Sequence, residues 1–588
     1  MEGSWIERAP EAPLAVTAIP APPAAEEIGR PLRVAVVLES LVVPRWIDKV
    51  VTAIRASAFL DVPIVAVGDA ERRGSRRGES DRWNLLWKIY CAIDHGLQKT
   101  NKDALEQVDI ASTLAGTDVM RTAGQLGDRD LRQLREADLD VLLHLRRGPI
   151  QSGLFGCAKQ GVLSLRPGDV VWEPSSFFSE IYRADPVWTI ALQIQTDEHD
   201  QAFTLQRSVS AIVGPSARRN RNVACWKAAE IVVRGLRRLR WHGPIPAAAA
   251  AQHDREDVPP RHEVSPSSAR MVRLLARILM AGMRRQVRRV IFKGQWIIAI
   301  RKKEWRLLRE RNGGPFRVMA PPKDRFYADP FLFERDGRQY VFFEDYRYDT
   351  RKAVISCAQV SEAGEIARPR IVLEKDHHLS YPYVFESDGE IYLLPETSAN
   401  RTIEIYRSVV FPEQWKLEKI VLDGVDASDA TIFRYRERFW LFAGIRVPGT
   451  PEWDELHLYM ADTLLGRWEP HPLNPVVSDA RVARPAGRPF WDGADLIRPG
   501  QDGSIHYGRA ISLNRVEVLS ETEYREVPIG RIAPDWLPGI DGTHHIDHNE
   551  EFEVIDAHRF VKRPPRDFTS KLRRLVHQGS RFAHKLRR

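Results

Sequence analysis

The sequence predicts a multidomain chain, an α/β domain over residues 31–241 followed by an all-β five-bladed propeller over 313–561. Three observations carry this. The first half alternates apolar runs of strand length with helical patterns, which implies a parallel sheet. From Pro315 the helical periodicity stops, and short strands rich in Phe, Tyr, Val and Ile alternate with Gly/Asp/Arg turns. Within that second half a hairpin recurs at intervals near 50 residues, the period of a propeller blade.

In the first half, Arg33–Leu38 reads as a buried strand, Trp46–Ala58 as a helix and Val62–Val67 as the second strand. Asp140–Leu145, Gly161–Leu165 and Thr189–Ile194 follow as further strands. Residues 1–30, rich in Ala, Pro and Glu, are expected to be a disordered arm, and 242–268 a Pro/Ala/Ser linker. In the second half, Asp329–Phe333, a turn at Asp336-Gly337 and Tyr340–Glu344 make one hairpin. Tyr381–Phe385, Asp388-Gly389 and Tyr392–Glu396 repeat it 52 residues later, and Asp429–Phe433 with Phe439–Ala443 is the third copy. A weaker fourth is read at Asp495–Ile497 returning over Ile505–Gly508, and His544–Phe560 supplies the fifth.

Composition narrows the classes. An apolar share of 43% and a charged share of 28% describe a soluble protein of 588 residues. The four cysteines are widely spaced, which excludes a disulfide framework and fits a cytoplasmic setting. No leader pattern and no spanning apolar run stand in the sequence. The net charge of +8 is uneven: residues 270–303 contribute +11 and 562–588 contribute +9, so the remainder carries −12. Acidic domains argue against a nucleic-acid partner. The basic segment 269–306 reads as a helix, with Met271, Leu274, Leu275 and Ile278 on one face and Arg270, Arg273, Arg277, Arg284 and Arg288 elsewhere. Two readings stand for it and for the tail 562–588: a solvated connector, or a surface that meets an anionic membrane.

The inner strand of a blade starts at one mouth of the central channel, and the antiparallel second strand returns there. Asp329 and Asp429 start inner strands, and Glu344 and Glu396 end returning ones, so four carboxylates should share one mouth. Glycosidic chemistry uses such a group, one carboxyl as acid and another as base or nucleophile. Crowding separates their proton affinities. The expected roles are Asp329 as base or nucleophile, Glu396 as acid, Asp429 as modulator, and Glu344 as the second candidate acid. The structural alternative is that such acids only bond neighbouring amides. Arg484, Arg498, Gln501 and Asp495, in the fourth repeat, are the substrate-binding candidates. His377-His378 and His544–His548 contain metal-ligand types, but no metal or other cofactor is expected.

These stretches carry a resemblance. Ala328–Phe331, Leu379–Phe385, Leu394–Glu396, Leu456–Leu458, Gly466–Trp468, Arg484–Arg488 and Tyr507-Gly508 resemble the N-terminal domain of glucosamine inositolphosphorylceramide transferases, itself similar to glycoside hydrolase family 43 propellers. The resemblance implies Asp329 in the base position. Asp138–His144, Gly161–Asp169 and Thr189–Asp200 are similar to formyltransferases, which implies a Rossmann-like domain. That family's Asn, His and Asp would fall at the strand ending in His144, at Arg166 and at Asp200. Arg166 stays charged and cannot relay a proton, so the domain is expected to be degenerate.

Three functions follow as expectations. The first is an enzyme of glycan or glycolipid metabolism, a glycosyl transferase or glycoside hydrolase, acting at the propeller mouth. The others are a non-catalytic sugar-binding propeller and an amino-sugar formyltransferase.

Overall fold

A computed structural model describes residues 6–7, 30–68, 85–97, 103–122, 124–166, 176–197, 202–243, 266–303, 315–447 and 449–563. Most of the expected arm and of the linker, the tail beyond 563 and Asp200 lie outside the described residues; within the arm expected to be disordered, Ile6–Glu7 is instead a short strand, paired antiparallel with Arg531-Ile532.

The α/β domain is built on β1 (Leu32–Leu38), β2 (Ile64–Gly68), β3 (Asp118–Thr122), β4 (Val141–His144), β5 (Val162–Leu165), β6 (Val187–Gln195) and β7 (Phe203–Ala211). Their order is β7-β6-β5-β4-β1-β2-β3. The five from β5 to β3 run parallel, and β6 is antiparallel to both β5 and β7. The sheet reverses direction of winding between β1 and β4, as in open doubly wound sheets. Continuous burial of Val34–Leu38 and Val141–Leu143 is what a central parallel strand covered on both faces requires. Helices α1 (Arg45–Arg55), α2 (Leu85–Leu97), α3 (Asp128–Glu136) and the long α4 (Ala217–His242) cover it. Ser216 caps α4 by accepting from Arg219 N–H, and Gly243 ends it at positive φ.

Helix α5 (Ser268–Ile291) follows, and here the sequence reading is corrected. The helical pattern read across 269–306 stops at Ile291, and Phe292–Lys302 is a strand, β8. The physical reason is local. Ile297, Ile298, Ala299 and Ile300 are all buried, a β-branched run sealed on both faces rather than one stripe of a helix.

Five antiparallel blades make up the propeller. Blade 1 holds β10 (Arg325–Arg335) to β13 (Arg370–Leu373), by way of β11 (Arg338–Arg347) and β12 (Lys352–Val360), and follows β9 (Arg317–Met319). Blade 2 is β14 (Ser380–Ser387), β15 (Glu390–Thr397), β16 (Thr402–Val410) and β17 (Gln414–Asp423). Blade 3 is β18 (Ala427–Tyr435), β19 (Arg438–Ile445), β20 (Glu455–Ala461) and β21 (Glu469–Pro470). Blade 4 is β22 (Phe490–Asp492), β23 (Asp495–Asp502), β24 (Ala510–Leu519) and β25 (Tyr524–Ile532). Blade 5 joins the two ends of the propeller. Strands β26 (Ile540–Gly542) and β27 (Ile546–His548) both pair with β28 (Phe552–Lys562), which pairs with β8, and β8 in turn pairs with β9. The β8–β28 register runs from Phe292↔Lys562 to Lys302↔Phe552, so the ring is closed by strands of distant sequence.

The fourth hairpin was also expected elsewhere. Asp495–Ile497 belongs to the returning strand β23, not to the inner one, and the turn is at Gly493. The inner strand β22 has only three residues, too few to show alternation.

The two domains meet along α4. Lys227, fully buried, pairs with Glu455 and lies 3.5 Å from Asp454, and Arg234 Nη1 reaches Glu455 at 3.0 Å. Ser210 Oγ donates to Asp454 at 2.5 Å. Gly449 packs so closely under Trp226 that a Cβ would fall 2.3 Å from its ring.

Candidate active site at the propeller mouth

The inner strands of blades 1, 2 and 3 share one irregularity. Their pairing slips between Ala328 and Phe331, Ser380 and Tyr383, and Ser428 and Thr431. Each slip is a bulge whose first residue has positive φ: Asp329 at 51°, Tyr381 at 46° and Asp429 at 53°. Aspartate tolerates this conformation, whereas a tyrosine there is strained and must be held by its surroundings. Tyr381 is held on both sides: its hydroxyl pairs with Thr431 Oγ1 at 2.9 Å and accepts from Gly487 N–H at 3.0 Å. Gly487 is required for that approach, because a Cβ would fall 1.8 Å from Ile546 O.

The bulge amides link neighbouring blades through acids. Asp556 accepts from Asp329 N–H at 3.4 Å, Asp329 from Tyr381 N–H at 3.2 Å, and Glu396 from Asp429 N–H at 3.2 Å. The amide-bonding role weighed from sequence is therefore real; it occupies one oxygen each of Asp329 and Glu396 and both oxygens of Asp556, which also accepts from the His544 and His545 backbone N–H. The other Asp329 oxygen lies 3.2 Å from His544 Nε2, and His544 Nδ1 lies 2.8 Å from Asp556. The second Glu396 oxygen accepts from Ser398 Oγ at 2.7 Å. Asp429 accepts from Arg484 Nε at 2.5 Å and Gln501 Nε2 at 2.9 Å, and Arg484 Nη2 is 3.6 Å from Glu396. Glu344 is different. It is buried, and its single ion-pair partner among the described residues is His378, 3.5 Å away.

These surroundings separate the four acids. Burial works to raise Asp329, but the adjacent His544, with His545 and Arg484, outweighs it and takes the carboxyl down to about 2. Burial raises Glu344 well above the usual carboxylate range, and the charges of Asp329, Glu396 and Asp429 add to that. Burial takes Asp429 up to about 7; Arg484 opposes this, and Glu396 and Asp329 reinforce it. His544 is raised to about 10, its burial outweighed by Asp556 and Asp329. The mouth thus sets a carboxyl held toward ionisation, Asp329 with the His544 imidazolium, against two pushed toward protonation, Glu344 and Asp429. Asp329, His544 and Asp556 also place three ligand atoms within 4.8 Å of one another, close enough for a small cation. A metal ion there would have to displace the imidazolium proton that already balances both carboxylates.

Aromatic rings stand beside the acids. Trp296 lies 4.1 Å from the His544 ring centroid, and Tyr507 5.2 Å from it. The Arg484 guanidinium sits 5.0 Å over Tyr507, which remains 40% exposed. Such rings offer a flat apolar platform next to charged hydrogen-bonding groups.

The structure thus brings together Asp329, Glu344, Glu396, Asp429, Arg484 and Gln501. It does not bring Arg498 or Asp495. Arg498 is buried within blade 4, bonded to Glu526 at 2.5 Å and to Val482 O at 2.7 Å. Asp495 is exposed at the hairpin turn, the end of the blade opposite the mouth. His144 and Arg166 belong to the α/β domain, at the ends of β4 and β5. His144 is buried there, which with nearby Arg146 lowers it to about 4. Sequence reasoning did not single out Asp556, Tyr381, Trp296 or Tyr507 as site residues. A signal existed for Asp556: Val554-Ile555-Asp556 repeats the two-apolar-then-acid ending of Phe342-Phe343-Glu344.

A sign follows for stability. Asp429 and Glu344 keep protons in the folded chain that the unfolded chain releases, so their contribution is fully present below about pH 4 and is lost as pH rises toward 7 and beyond. Thermal unfolding between pH 4.5 and 7 should therefore fall less steeply in Asp429→Asn than in the native chain. An equal slope would remove Asp429 as a proton holder.

Fold and site together define a five-bladed propeller with a carboxylate-lined, aromatic-rimmed mouth. Residues 318–535 match the family model described as glucosamine inositolphosphorylceramide transferase 1, N-terminal. Among curated proteins, the chain is 37% identical over 208 residues to glucosamine inositolphosphorylceramide transferase 1 of Arabidopsis thaliana, covering 35% of this chain and 27% of that one. It is 36% identical over 231 residues to the protein of the same name from Oryza sativa subsp. japonica, covering 38% and 31%. The chain thus spans less than a third of the length of these relatives. Among solved structures it is similar to a thermostable family-43 glycoside hydrolase, at 14% identity and a TM-score of 0.29, over 34% of this chain and 74% of that one. A family GH43_1 enzyme from Xanthomonas citri complexed with xylotriose is similar at 12% identity and a TM-score of 0.29, over 42% and 96%.

Proposed function

We propose that the mouth acts on a glycosidic bond of a glycan or glycolipid, with Asp329 as the permanently ionised base or nucleophile and Glu344 as the proton donor. The observation that carries this is the opposite treatment of two acids at one mouth. Asp329 is held ionised by His544, while Glu344 is buried with His378, itself pushed by burial toward its neutral form, as its ion-pair partner among the described residues. Opposed proton affinities are what acid–base cleavage or transfer at a sugar carbon requires. The acid role thus moves from Glu396, whose two oxygens both accept hydrogen bonds, to Glu344. Arg484 and Gln501 hold Asp429, and Trp296 and Tyr507 give a sugar ring an apolar face to lie on.

Glu344→Gln tests the assignment. A general acid matters most when the leaving group is poor. The variant should lose turnover of unactivated glycosides by roughly 10²–10⁴-fold, keep much of its turnover of nitrophenyl glycosides, and lose the alkaline decline of the native pH profile. If Glu344→Gln behaves as the native protein while Glu396→Gln shows this pattern, the donor is Glu396.

A further inference from the structure

We infer that α5 is an interfacial helix that seats the propeller mouth against an anionic lipid bilayer. The helix changes character along its length. Met271 and Leu274, in its first turns, are buried in the α/β core. Beyond Ile278 it leaves that core, and Leu279, Met283 and Val287 are 65%, 61% and 57% exposed. At about 100° per residue these three fall within roughly 80° of one another, and Val272, 58% exposed, lies on the same stripe. By the same spacing Arg284 and Arg289, both exposed, stand about 60–80° beyond the stripe on either side, while Arg277 donates to the Ile181 and Tyr182 carbonyls and Arg288 pairs with Asp541; no acidic residue stands anywhere in 268–303. The adjoining α2 leaves Leu85, Ile89 and Ile93, four residues apart, exposed as well.

An apolar stripe edged by arginine on an acid-free helix matches a bilayer of anionic lipid, where side chains enter the acyl boundary and guanidinium groups meet phosphates. No helix among the described residues is long and apolar enough to cross a membrane, so the contact is interfacial. The connection to the site is direct. Strand β8 begins at the mouth end of blade 5, so α5 arrives on the face that carries the carboxylates. Arg288 fixes its last turn there through Asp541 at 2.7 Å and by lying over the Phe560 ring. Trp296, five residues after the helix, is already part of the mouth. A bilayer under α5 would thus present its headgroups beside the acids.

The test is co-sedimentation of the full chain with vesicles of phosphatidylcholine alone or mixed with phosphatidylglycerol. Binding is read without turnover, so it stands or fails separately from the glycosidic reading. The native chain should bind the anionic vesicles, weaken with salt, and bind the neutral ones at least about tenfold less. Leu279→Glu/Met283→Glu/Val287→Glu should lower binding by about tenfold or more with its basic tail intact. Arg284→Gln/Arg285→Gln, on the exposed face, gives a second reading if the triple variant fails to fold, with a loss of about tenfold. Variants that bind as the native chain does would overturn the inference. So would equal binding to neutral vesicles, or a lipid-independent dimer in sedimentation velocity that the triple variant dissociates.

Discussion

Asp329→Asn is expected to lower kcat/KM on any glycoside the native chain turns over by about 10²–10⁴-fold, the range for a lost acid–base group. Asparagine keeps the shape, and its carbonyl oxygen can still accept from Tyr381 N–H, so the bulge and the blade contact survive. What disappears is the charge. His544 loses one of its two carboxylates and should titrate below its native value of about 10. Glu344 loses the neighbouring anion that helps to raise it, so the alkaline limb of any residual activity should move to lower pH. Asp329 contributes stability that is present above about pH 4 and lost as the pH falls toward 2, so the variant should also lose acid sensitivity in that window. Unchanged turnover with reduced stability would make Asp329 a blade-to-blade bond and nothing more.

The second large effect lies between the domains. Lys227→Met should destabilise the folded chain by about 3–5 kcal/mol, the cost of breaking a buried ion pair and leaving its partner uncompensated. Lys227, Asp454 and Glu455 are all sealed from solvent. Burial works to raise Glu455, but Lys227 and Arg234 outweigh it and hold it ionised, while burial takes Asp454 up to about 6 despite Lys227. Removing the lysine leaves Glu455 with Arg234 and Asp454 with the Ser210 hydroxyl. Thermal or urea unfolding with separate probes in each domain should show the two transitions moving apart. Adding Glu455→Gln should recover part of the loss, because the interaction is between those two residues. A change under about 1 kcal/mol would mean that the domains are held by the apolar packing around Trp226 instead.

The repeat made much of this site legible. Asp329, Glu344 and Glu396 stand at fixed positions within hairpins whose turns are written in Asp-Gly pairs, and the positive φ values at Asp336, Gly337, Asp388 and Gly389 are the turn geometry those pairs favour; the hairpin of Asp429 turns at Arg436-Glu437 instead. The same logic failed in blade 4. Its inner strand is reduced to Phe490–Asp492, so in the sequence the longer β23 reads as the inner strand, which puts Asp495 at the wrong end of the blade. Arg498 and Gln501 lie three residues apart on that strand, and alternation places them on opposite faces, one in the blade core and one at the mouth. Trp296 was hidden for another reason. Its strand completes blade 5 from a position before the first repeat, and the basic helix that precedes it masked the change of period at Ile291. In the first half, the strand alternation showed a parallel sheet, and the order β5-β4-β1-β2-β3 agrees with it. What that sheet binds depends on loops after the strands, where sequence pattern is weakest.

The proposed chemistry requires one mouth to keep a protonated carboxyl beside a permanent anion. Infrared difference spectroscopy at neutral pH reads this directly, because a carboxylic acid and a carboxylate absorb separately. The native chain should show a buried carboxylic-acid band, part of which Glu344→Gln removes and Glu396→Gln does not, with Asp429, raised to about 7, contributing the remainder at the mouth. A native spectrum with no such band, or one in which Glu344→Gln leaves it intact, would contradict the division of roles between Asp329 and Glu344.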